Sequence, residues 1–502
     1  MESRYFDPTS HQEKHVHPLG LEKHQVPEGH VELQPEWHSA VEVAKILHSS
    51  GYSAEIIGGA VRDLLLGLEP KDYDLATNAL PEQIEALQGF EKSQFHDTAQ
   101  AYGVTRVRLD GVEFEVASYR KDVNAHLGRV ATSVDHHATL EDDLQRRDFT
   151  INAMALDPVT HQLIYNGESL NDLDNKIIRF VGDGRERISE DPLRILRAVR
   201  FKNRLGFAYE AQTDSDLLHS IEAGELSSIS GERLQQEITA ILRTAQSRKD
   251  ALEDLDRLGI IDVLLPELSA GKDVEQGLEF HAEGDVWVHQ LLIMKALPPD
   301  ASKELIWAAL LHDIGKPHRQ KLPDQLGERI TFYGHDVTSA ELARPILNRL
   351  KFSNKQKNTI LWLIEEHINI AQLPKMKAST QKRMMNHLAF GDLVELHRAD
   401  GEASWRTLPD GSISKEKPQF QDILALWEYH KLQPPEVQRP NLKRDLGIDG
   451  KVIMSLIPNY KNSRDAVKIG QIIRELEERF LNGEVRTHTD ALQQAEAIIT
   501  TL

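Results

Sequence analysis

The sequence contains no cysteine among its 502 residues, and it contains no long run of hydrophobic residues. Without cysteine, the chain can form no disulfide, no zinc–thiolate or iron–sulfur site and no cysteine nucleophile. No apolar stretch approaches the roughly 20 residues that a membrane-spanning helix requires. The N-terminus carries Glu2 and Asp7 and lacks the apolar core of a secretory signal. We therefore expect a cytoplasmic protein that makes no contact with a membrane.

The chain is acidic, with 59 basic and 79 acidic residues and a formal net charge of −20. Taken alone, this charge argues against binding to nucleic acid. One segment departs from the average, because residues 176–204 hold nine lysines and arginines against four acids. A basic stripe of this kind can bind phosphate groups even on an acidic protein.

The periodicity of the sequence changes along the chain and predicts an α+β protein. Between residues 39 and 178, short alternating segments and the Asp110-Gly111 hairpin turn are typical of a small α/β domain. After Gly184 the period becomes helical almost to the C-terminus. Residues 1–38 contain six histidines and no periodicity, which is typical of a mobile tail; metal binding is the alternative.

Two aspartates flank Tyr73 in a segment that we expect to be extended. On a strand, Asp72 and Asp74 would face the same side, with roughly 6–7 Å between their Cα atoms. That spacing suits a pair of Mg²⁺ ions about 3.5–4 Å apart. Glu115, on the predicted strand VEFEVA, is a candidate third carboxylate. The alternatives are surface acids for the pair and a solvated strand residue for Glu115.

A glycine turn precedes this acidic pair by about ten to fourteen residues. Gly58 and Gly59 would let the backbone approach a triphosphate, and the helix that follows would offer its N-terminus to the phosphates. Arg62 near the start of that helix would reach a phosphate oxygen. The turn and the acidic pair together favour a nucleotide site over unrelated surface features.

A second set of charged residues suggests selection of a base. Asp191, Arg194, Arg197 and Arg200 recur every third residue, which predicts a ladder along one helix. An aspartate only accepts hydrogen bonds and an arginine only donates them, so Asp191 and Arg194 could match cytosine and adenine but not guanine or uracil. An ion-paired surface helix is the alternative.

The motifs GGAVRD, KDYD, LQRRDFTINAMALD, EDPLRILRAVRF and GERLQQEI, in this order, resemble those of the class II CCA-adding tRNA nucleotidyltransferases and the related bacterial poly(A) polymerases. The resemblance covers roughly residues 50–245 and implies a polymerase-β-like nucleotidyltransferase head. It implies catalytic Mg²⁺ on Asp72 and Asp74. It also implies nucleotide contacts from the following residues: Gly58, Gly59, Arg62, Arg146, Asp148, Asp191, Arg194, Arg197 and Arg200. Arg233 would support the nucleotide-binding helix.

The resemblance further implies the reaction and its partners. The 3′-hydroxyl of a tRNA would attack the α-phosphate of CTP or ATP, and pyrophosphate would leave. A loop between Arg120 and Glu141 would help the change from C to A addition. Addition of only CC or only A by the same motifs stays open. In the C-terminal region, Lys461, Arg464 and Lys468 could hold the tRNA backbone or form a solvated basic face.

A third set of residues resembles the HD phosphohydrolase superfamily, in the sequence segments VWVHQ, AALLHDIGKP, FYGHD, EEHI and HRAD. Histidine and aspartate ligands on several helices can hold one or two divalent ions, including a transition metal. The candidate ligands are His289, His312, Asp313, His335, His367 and Asp400. The resemblance implies hydrolysis of phosphoesters, such as 2′,3′-cyclic or 3′-phosphate ends of RNA. Structural histidines are the alternative.

These interpretations predict five segments, with an all-helical body after the head. They are a mobile tail (1–38), a catalytic head (39–178), a helical neck with the nucleotide-selecting helix (179–272), an HD domain (273–405) and a helical tRNA-contacting region (406–502). A poly(A) polymerase is the alternative within the family. An HD hydrolase with a vestigial head, or a purely RNA-binding protein, would belong to other functional classes.

Overall fold

The computed structural model describes residues 15–16, 21–25, 35–91, 103–123, 133–135, 138–277, 281–323, 329–408, 410, 412–414, 420–434, 438, 441–457 and 463–501. The chain divides into two compact units, Met1–Leu264 and Leu265–Leu502.

An eight-stranded sheet forms the head of the first unit, in the order β1-β2-β10-β9-β3-β4-β6-β5. Its strands are β1 (His15–Val16), β2 (Leu21–Gln25), β3 (Glu55–Ile57), β4 (Leu75–Thr77), β5 (Val104–Leu109), β6 (Val112–Ser118), β9 (Met154–Asp157) and β10 (Gln162–Asn166). Only β4 and β6 pair in parallel, and every other pairing in this sheet is antiparallel. Short two-stranded pairs are formed by β7 (Lys121–Val123) with β8 (Ser133–Asp135) and by β11 (Ile177–Ile178) with β12 (Ala208–Tyr209).

The predicted hairpin is formed by β5 and β6. Asp110 and Gly111 both have positive φ, at 51° and 79°, which is the backbone that a two-residue turn of this hand requires. The turn fixes the register in which Arg106 lies opposite Glu115. Glu115 therefore stands on a well-paired strand beside the segment that carries Asp72 and Asp74.

The helices of the first unit cover the sheet and then continue as a helical neck. They are α1 (Pro35–Ser49), α2 (Gly59–Leu65), α3 (Pro81–Ala86), α4 (Leu140–Gln145), α5 (Ser169–Asp174), α6 (Gly184–Glu190), α7 (Leu193–Leu205), α8 (Ala211–Glu222), α9 (Gly231–Thr244), α10 (Arg248–Arg257) and α11 (Ile260–Leu264). Helix α7 buries Ile195, Leu196 and Val199 while its arginines lie on other faces. This amphipathic pattern packs α7 against α9 and leaves its basic side available for the head.

Part of the predicted mobile tail belongs to the sheet. Leu21–Gln25 pairs antiparallel with β10, from Leu21 opposite Asn166 to Gln25 opposite Gln162. Helix α1 begins at Pro35, before the predicted boundary at residue 38. The expectation of a tail without structure is therefore wrong for these two segments. The alternation in LEKHQ is too short to predict a strand that pairs with the distant segment Gln162–Asn166.

The second unit is almost entirely helical. Its helices are α12 (Pro266–Ser269), α13 (Val286–Ala296), α14 (Lys303–Leu311), α15 (Lys316–Arg319), α16 (His335–Arg349), α17 (Asn354–Glu366), α18 (Ala378–Met385), α19 (Phe390–Ala403), α20 (Phe420–Leu432), α21 (Leu442–Leu446), α22 (Gly450–Leu456), α23 (Ser463–Leu481) and α24 (His488–Thr501). A two-residue pair joins β13 (Arg406–Thr407) to β14 (Ile413–Ser414).

The centre of the second unit is helix α14, in which every residue from Leu305 to Leu311 is buried. Trp307 is fully buried there and meets the ring of Phe352 edge-on, with 5.1 Å between the ring centres. A separate cluster that includes Ile453 and Leu476 forms the core of the C-terminal helices.

The architecture predicted from the sequence, a small α/β head followed by a helical body, is confirmed. The described helices include none that is long and apolar enough to cross a membrane.

Candidate active sites

The two aspartates of the KDYD segment lie at an acidic cleft of about 730 Å³ in the first unit. They stand just before β4, where Asp72 and Asp74 are exposed and Tyr73 between them is buried. The alternation shows that the two carboxylates face one side, as an extended backbone requires. Glu115 lines the same cleft from β6.

The charges in this cleft act on one another. Partial loss of hydration, together with the negative charges of Asp72 and Glu115, raises the pKa of Asp74 to about 6. Arg147 opposes this effect and lowers the pKa of Asp74. Carboxylates that disfavour one another's ionisation gain most from a bound cation. The donor set is made only of oxygen atoms, which fits Mg²⁺.

The glycine turn lies between β3 and α2, and Gly58 has no room for a side chain. Its backbone has φ 69° and ψ −125°, a conformation open mainly to glycine. A Cβ atom on Gly58 would lie 2.7 Å from Nη1 of Arg147, whereas a Cβ on Gly59 would meet nothing closer than 3.6 Å. The absence of a side chain at Gly58 therefore leaves the space in which Arg147 lies against the turn. This arginine is not among the site residues predicted from the sequence.

The structure does not place Arg62 where a phosphate could reach it. The residue is 1 % exposed, and its guanidinium donates to Asp63 Oδ1 from Nε and Nη2 and to Asn152 Oδ1 from Nη1. Arg204 bonds the other oxygen of Asp63 at 3.0 Å. The predicted phosphate contact is therefore not supported, since Arg62 ties α2 to the head and to α7.

Asp148 and Arg197 form an ion pair between the head and α7. Arg197 Nε donates to Asp148 Oδ2 at 2.7 Å, while Phe149 N–H and Asn152 Nδ2 donate to Asp148 Oδ1. Burial alone would raise the pKa of Asp148, but Arg197 and Asn152 hold it below its ordinary value. The structure thus brings together two predicted nucleotide-site residues that are 49 positions apart.

Three arginines surround the buried ring of Phe201 on α7. The guanidinium carbons of Arg62, Arg197 and Arg200 lie 5.1, 5.4 and 4.9 Å from the ring centre. Arg200 also pairs with Glu237 at 2.9 Å. Cation–π contacts of this kind fix the positions of the three arginines around the ring.

The predicted ladder on one helix is corrected by the structure. Asp191 is not in α7, since it ends α6 and precedes Pro192, and α7 begins at Leu193. The carboxylate of Asp191 accepts two hydrogen bonds from Arg233 Nη2, at 2.9 and 2.8 Å. This is the contact that a supporting residue would make.

Arg194 faces the protein rather than an open site. Its Nη1 donates to the carbonyl of Arg187 and to Glu190 Oε2, both at 2.6 Å, and its Nη2 donates to the carbonyl of Arg146 at 2.9 Å. Asp191 and Arg194 therefore do not form a hydrogen-bonding pair that faces one base. Arg146 is held by Asp143, which it contacts at 2.6 Å.

All six residues predicted for the HD site converge in the second unit. They come from five places along the chain: His289 from α13, His312 and Asp313 from the end of α14, His335 from the start of α16, His367 from the end of α17, and Asp400 from α19. A cleft of about 620 Å³ opens over Asp313, His335, His367 and Asp400. His289 and His312 are buried.

Asp313 stands at the centre of this cluster, and each of its two oxygens faces two histidines. Oδ2 lies 3.1 Å from Nε2 of His312 and 3.7 Å from Nε2 of His289. Oδ1 lies 3.1 Å from Nε2 of His335 and 3.9 Å from Nε2 of His367. The pKa of Asp313 lies well below its ordinary value, because the charges of His312 and Lys316 outweigh the effect of burial.

The histidine rings are oriented by bonds on their far sides. Nδ1 of His312, His335 and His367 bonds the carbonyl of Ala309, Phe332 and Ile364, at 2.9, 2.8 and 2.6 Å. Each ring therefore turns Nε2 inward, which is how a histidine is prepared to bind a metal. Within the part of the chain that the structure describes, three groups have ligand atoms within 4.8 Å of one another, and all three belong to this cluster.

Two further residues, which were not predicted from the sequence, join the cluster. His281 and Glu283 form one of these three groups with His289. Lys316, which sequence analysis placed only in the GKP motif, reaches Asp313 Oδ2 at 2.8 Å. No periodic signal marks His281 and Glu283, since they precede α13 in an irregular segment.

Three family models match the chain. They are the poly A polymerase head domain over residues 54–179, the probable RNA and SrmB-binding site of polymerase A over 206–272, and the HD domain over 286–404.

Known relatives match over most of the chain. The A-adding tRNA nucleotidyltransferase of Deinococcus radiodurans is 31 % identical over 459 residues, which cover 87 % of this chain and 94 % of the relative. The multifunctional CCA protein of Xanthomonas campestris is 32 % identical over 339 residues, which cover 66 % and 78 %.

Among solved structures, the CCA-adding enzyme of Bacillus stearothermophilus in complex with CTP has the same fold, with a TM-score of 0.64 at 24 % identity over 93 % of this chain and 99 % of that one. The chain belongs to the family of CCA-adding tRNA nucleotidyltransferases and bacterial poly(A) polymerases, and it carries an HD domain.

Proposed function

We propose that this protein adds nucleotides to the 3′ end of tRNA from ATP and CTP, and that the addition of A to an end in CC is its minimal reaction. The tRNA 3′-oxygen attacks the α-phosphorus of the nucleotide, and pyrophosphate leaves. The observation that carries the proposal is the convergence of Asp72, Asp74 and Glu115 on one cleft in the head. We propose A-addition as the one step that the protein carries out in any case, because the relative matched over 87 % of this chain is an A-adding tRNA nucleotidyltransferase.

Asp72 and Asp74 would hold Mg²⁺, which supplies charge neutralisation for the triphosphate and activation of the attacking hydroxyl. Glu115 would complete the carboxylate set. Gly58 would keep the turn narrow, with Arg147 beside it. The protein's own contribution is then to position the reactants and to place charge at the reacting phosphate.

Nucleotide selection would use the region at the start of α7, where the buried Asp148 holds Arg197. Asp191 and Arg194 could contribute to it only by exchanging their present partners for a base. Their side-chain partners, Arg233 and Glu190, are both partly exposed. Arg194 would in addition have to release the carbonyls of Arg187 and Arg146.

The test is an extension assay on tRNA transcripts that end at the discriminator base, at C or at CC. Each is incubated with Mg²⁺ and CTP, ATP or both, and the products are sequenced. We expect A on the CC end whenever ATP is present, and full CCA on the shortest transcript with both nucleotides if the protein also adds C. Long A tails on any RNA would instead identify a poly(A) polymerase. Asp74→Asn should abolish extension, and the exposed Asp110→Asn should not.

A second activity is favoured by the cluster around Asp313. We propose that it hydrolyses phosphoesters at RNA ends, with a divalent transition metal held by His289, His312, Asp313 and Asp400. A bound metal would supply an activated water. Imidazole-rich ligand sets favour transition metals over Mg²⁺.

The test of this activity is phosphate release from RNA that ends in a 3′-phosphate, or ring opening of a 2′,3′-cyclic phosphate, after removal of metal and addition of Ni²⁺, Mn²⁺ or Mg²⁺. Asp313→Asn should abolish hydrolysis. A wild-type protein that neither releases phosphate nor opens the cyclic phosphate with any of the three ions would refute the proposal.

A further inference from the structure

Glu283 is a buried carboxylate whose place beside the metal-binding cluster has no role in the chemistry proposed above. Its side chain is 0 % exposed. Oε1 lies 2.7 Å from Nδ1 of His281 and 3.0 Å from Nδ1 of His289. Oε2 accepts the backbone N–H of Trp405 at 2.7 Å. Both oxygens are therefore committed to donors.

These contacts decide which nitrogen of His289 carries the proton. A carboxylate can only accept hydrogen bonds, so Nδ1 of His289 must be the donor to Glu283. In the neutral ring, Nε2 is then left with a lone pair. That nitrogen faces Asp400 Oδ1 at 3.1 Å and Asp313 Oδ2 at 3.7 Å. Three electron-donating atoms that face one another are the natural ligands of a cation.

Glu283 also connects the two helices that carry these ligands. His289 belongs to α13, and Trp405 lies two residues after the end of α19, which carries Asp400. The N–H of Ala282 donates to the carbonyl of Trp405 at 2.8 Å, and the N–H of Trp405 donates back to Glu283. The start of α13 is thereby fastened to the end of α19.

We propose that Glu283 is a positioning residue of the metal site: it fixes the ring and the proton of His289 and holds that ring opposite Asp400. The proposal rests on the metal-dependent site of the proposed function. Removal of a hydrogen-bond partner from a metal-binding histidine typically lowers metal affinity about 10–100-fold. We expect a loss of this size when Glu283 is replaced.

The experiment measures Ni²⁺ affinity of the full chain by calorimetry after removal of metal, and it counts only the binding that Asp313→Ala abolishes. Glu283→Gln keeps the shape of the side chain but turns one acceptor into a donor, so either a histidine N–H or the Trp405 N–H must face another donor. Glu341→Gln is the matched control, since Glu341 is exposed on α16. We expect the 10–100-fold loss in Glu283→Gln and none in the control.

A double-mutant cycle separates positioning from a general effect on the fold. If Glu283 acts through His289, then Glu283→Gln lowers Ni²⁺ affinity no further once His289 is replaced by alanine. An equal loss in the His289→Ala background would overturn the proposal, because the effect would not pass through that ring. Unchanged affinity in Glu283→Gln would overturn it too. A wild-type protein that binds no Ni²⁺ sensitive to Asp313→Ala would refute the metal site itself.

Discussion

Replacement of Gly58 by alanine should disturb the head far more than the same replacement one residue later. At Gly58 the backbone has φ 69° and ψ −125°, and a residue with a side chain in such a conformation costs about 1–3 kcal/mol. The new methyl would also lie 2.7 Å from Arg147 Nη1, so the guanidinium must move. Gly59 has an ordinary helical backbone with space for a methyl, and Gly59→Ala should be neutral or stabilising by up to about 1 kcal/mol.

The assay is hydrogen–deuterium exchange of peptides that cover β3 and α2, because exchange reports the local free energy of opening. We expect faster exchange in Gly58→Ala by a factor of about 5–150, which corresponds to about 1–3 kcal/mol. A-addition should fall with it, since the charge of Arg147, which acts on Asp74, is displaced. Equal exchange in the Gly58→Ala and Gly59→Ala variants would refute the reasoning about the turn.

Three further predictions concern other parts of the molecule. Because the pKa of Asp74 is raised to about 6, its carboxylate becomes mostly protonated as the pH falls from 6 to 5. Mg²⁺ affinity should then fall about fivefold over that unit, and excess Mg²⁺ should move the loss to lower pH. Affinity that stays constant down to pH 5 would contradict this. Arg197→Met leaves the buried carboxylate of Asp148 without its ion-pair partner. Since the Arg197 side chain is 33 % exposed, the loss of unfolding free energy should be below the roughly 3–5 kcal/mol of a fully buried pair. Asp148→Asn in the same chain should recover part of that loss. Trp307→Ala should lower the free energy of unfolding by about 3–5 kcal/mol. The loss should be visible as faster amide exchange in α14, and unchanged exchange would show that the core of the second unit lies elsewhere.

The HD ligands were accessible to sequence reasoning because each is carried by a short local motif. His312-Asp313 ends an apolar helix, and His335 and His367 follow in order. Their order resembles that of the HD superfamily, and this resemblance implies that they meet, as they do around Asp313. Glu283 could not be found in this way, since its role depends on Trp405, 122 residues away.

The membership of the nucleotide site stays a prediction, and the contacts that its residues make in the structure could not be predicted from the sequence. Asp191, Arg194, Arg197 and Arg200 recur every third residue in the sequence. They do not share one helix, because Pro192 separates Asp191 from α7. Partner choice then depends on distant groups: Arg233 for Asp191, and the carbonyl of Arg146 for Arg194. The surroundings of Arg62 could not be predicted, because a local motif cannot reveal that Asn152 and Asp63 enclose it.

The most direct test of the account is a reciprocal one, in which Asp74→Asn and Asp313→Asn are each assayed for A-addition to a tRNA that ends in CC and for hydrolysis of a 3′-phosphate on RNA. The account assigns the two reactions to separate sites, so Asp74→Asn should lose addition and keep hydrolysis, and Asp313→Asn should do the reverse. If one substitution abolished both reactions in a folded protein, the assignment of two independent sites would be contradicted.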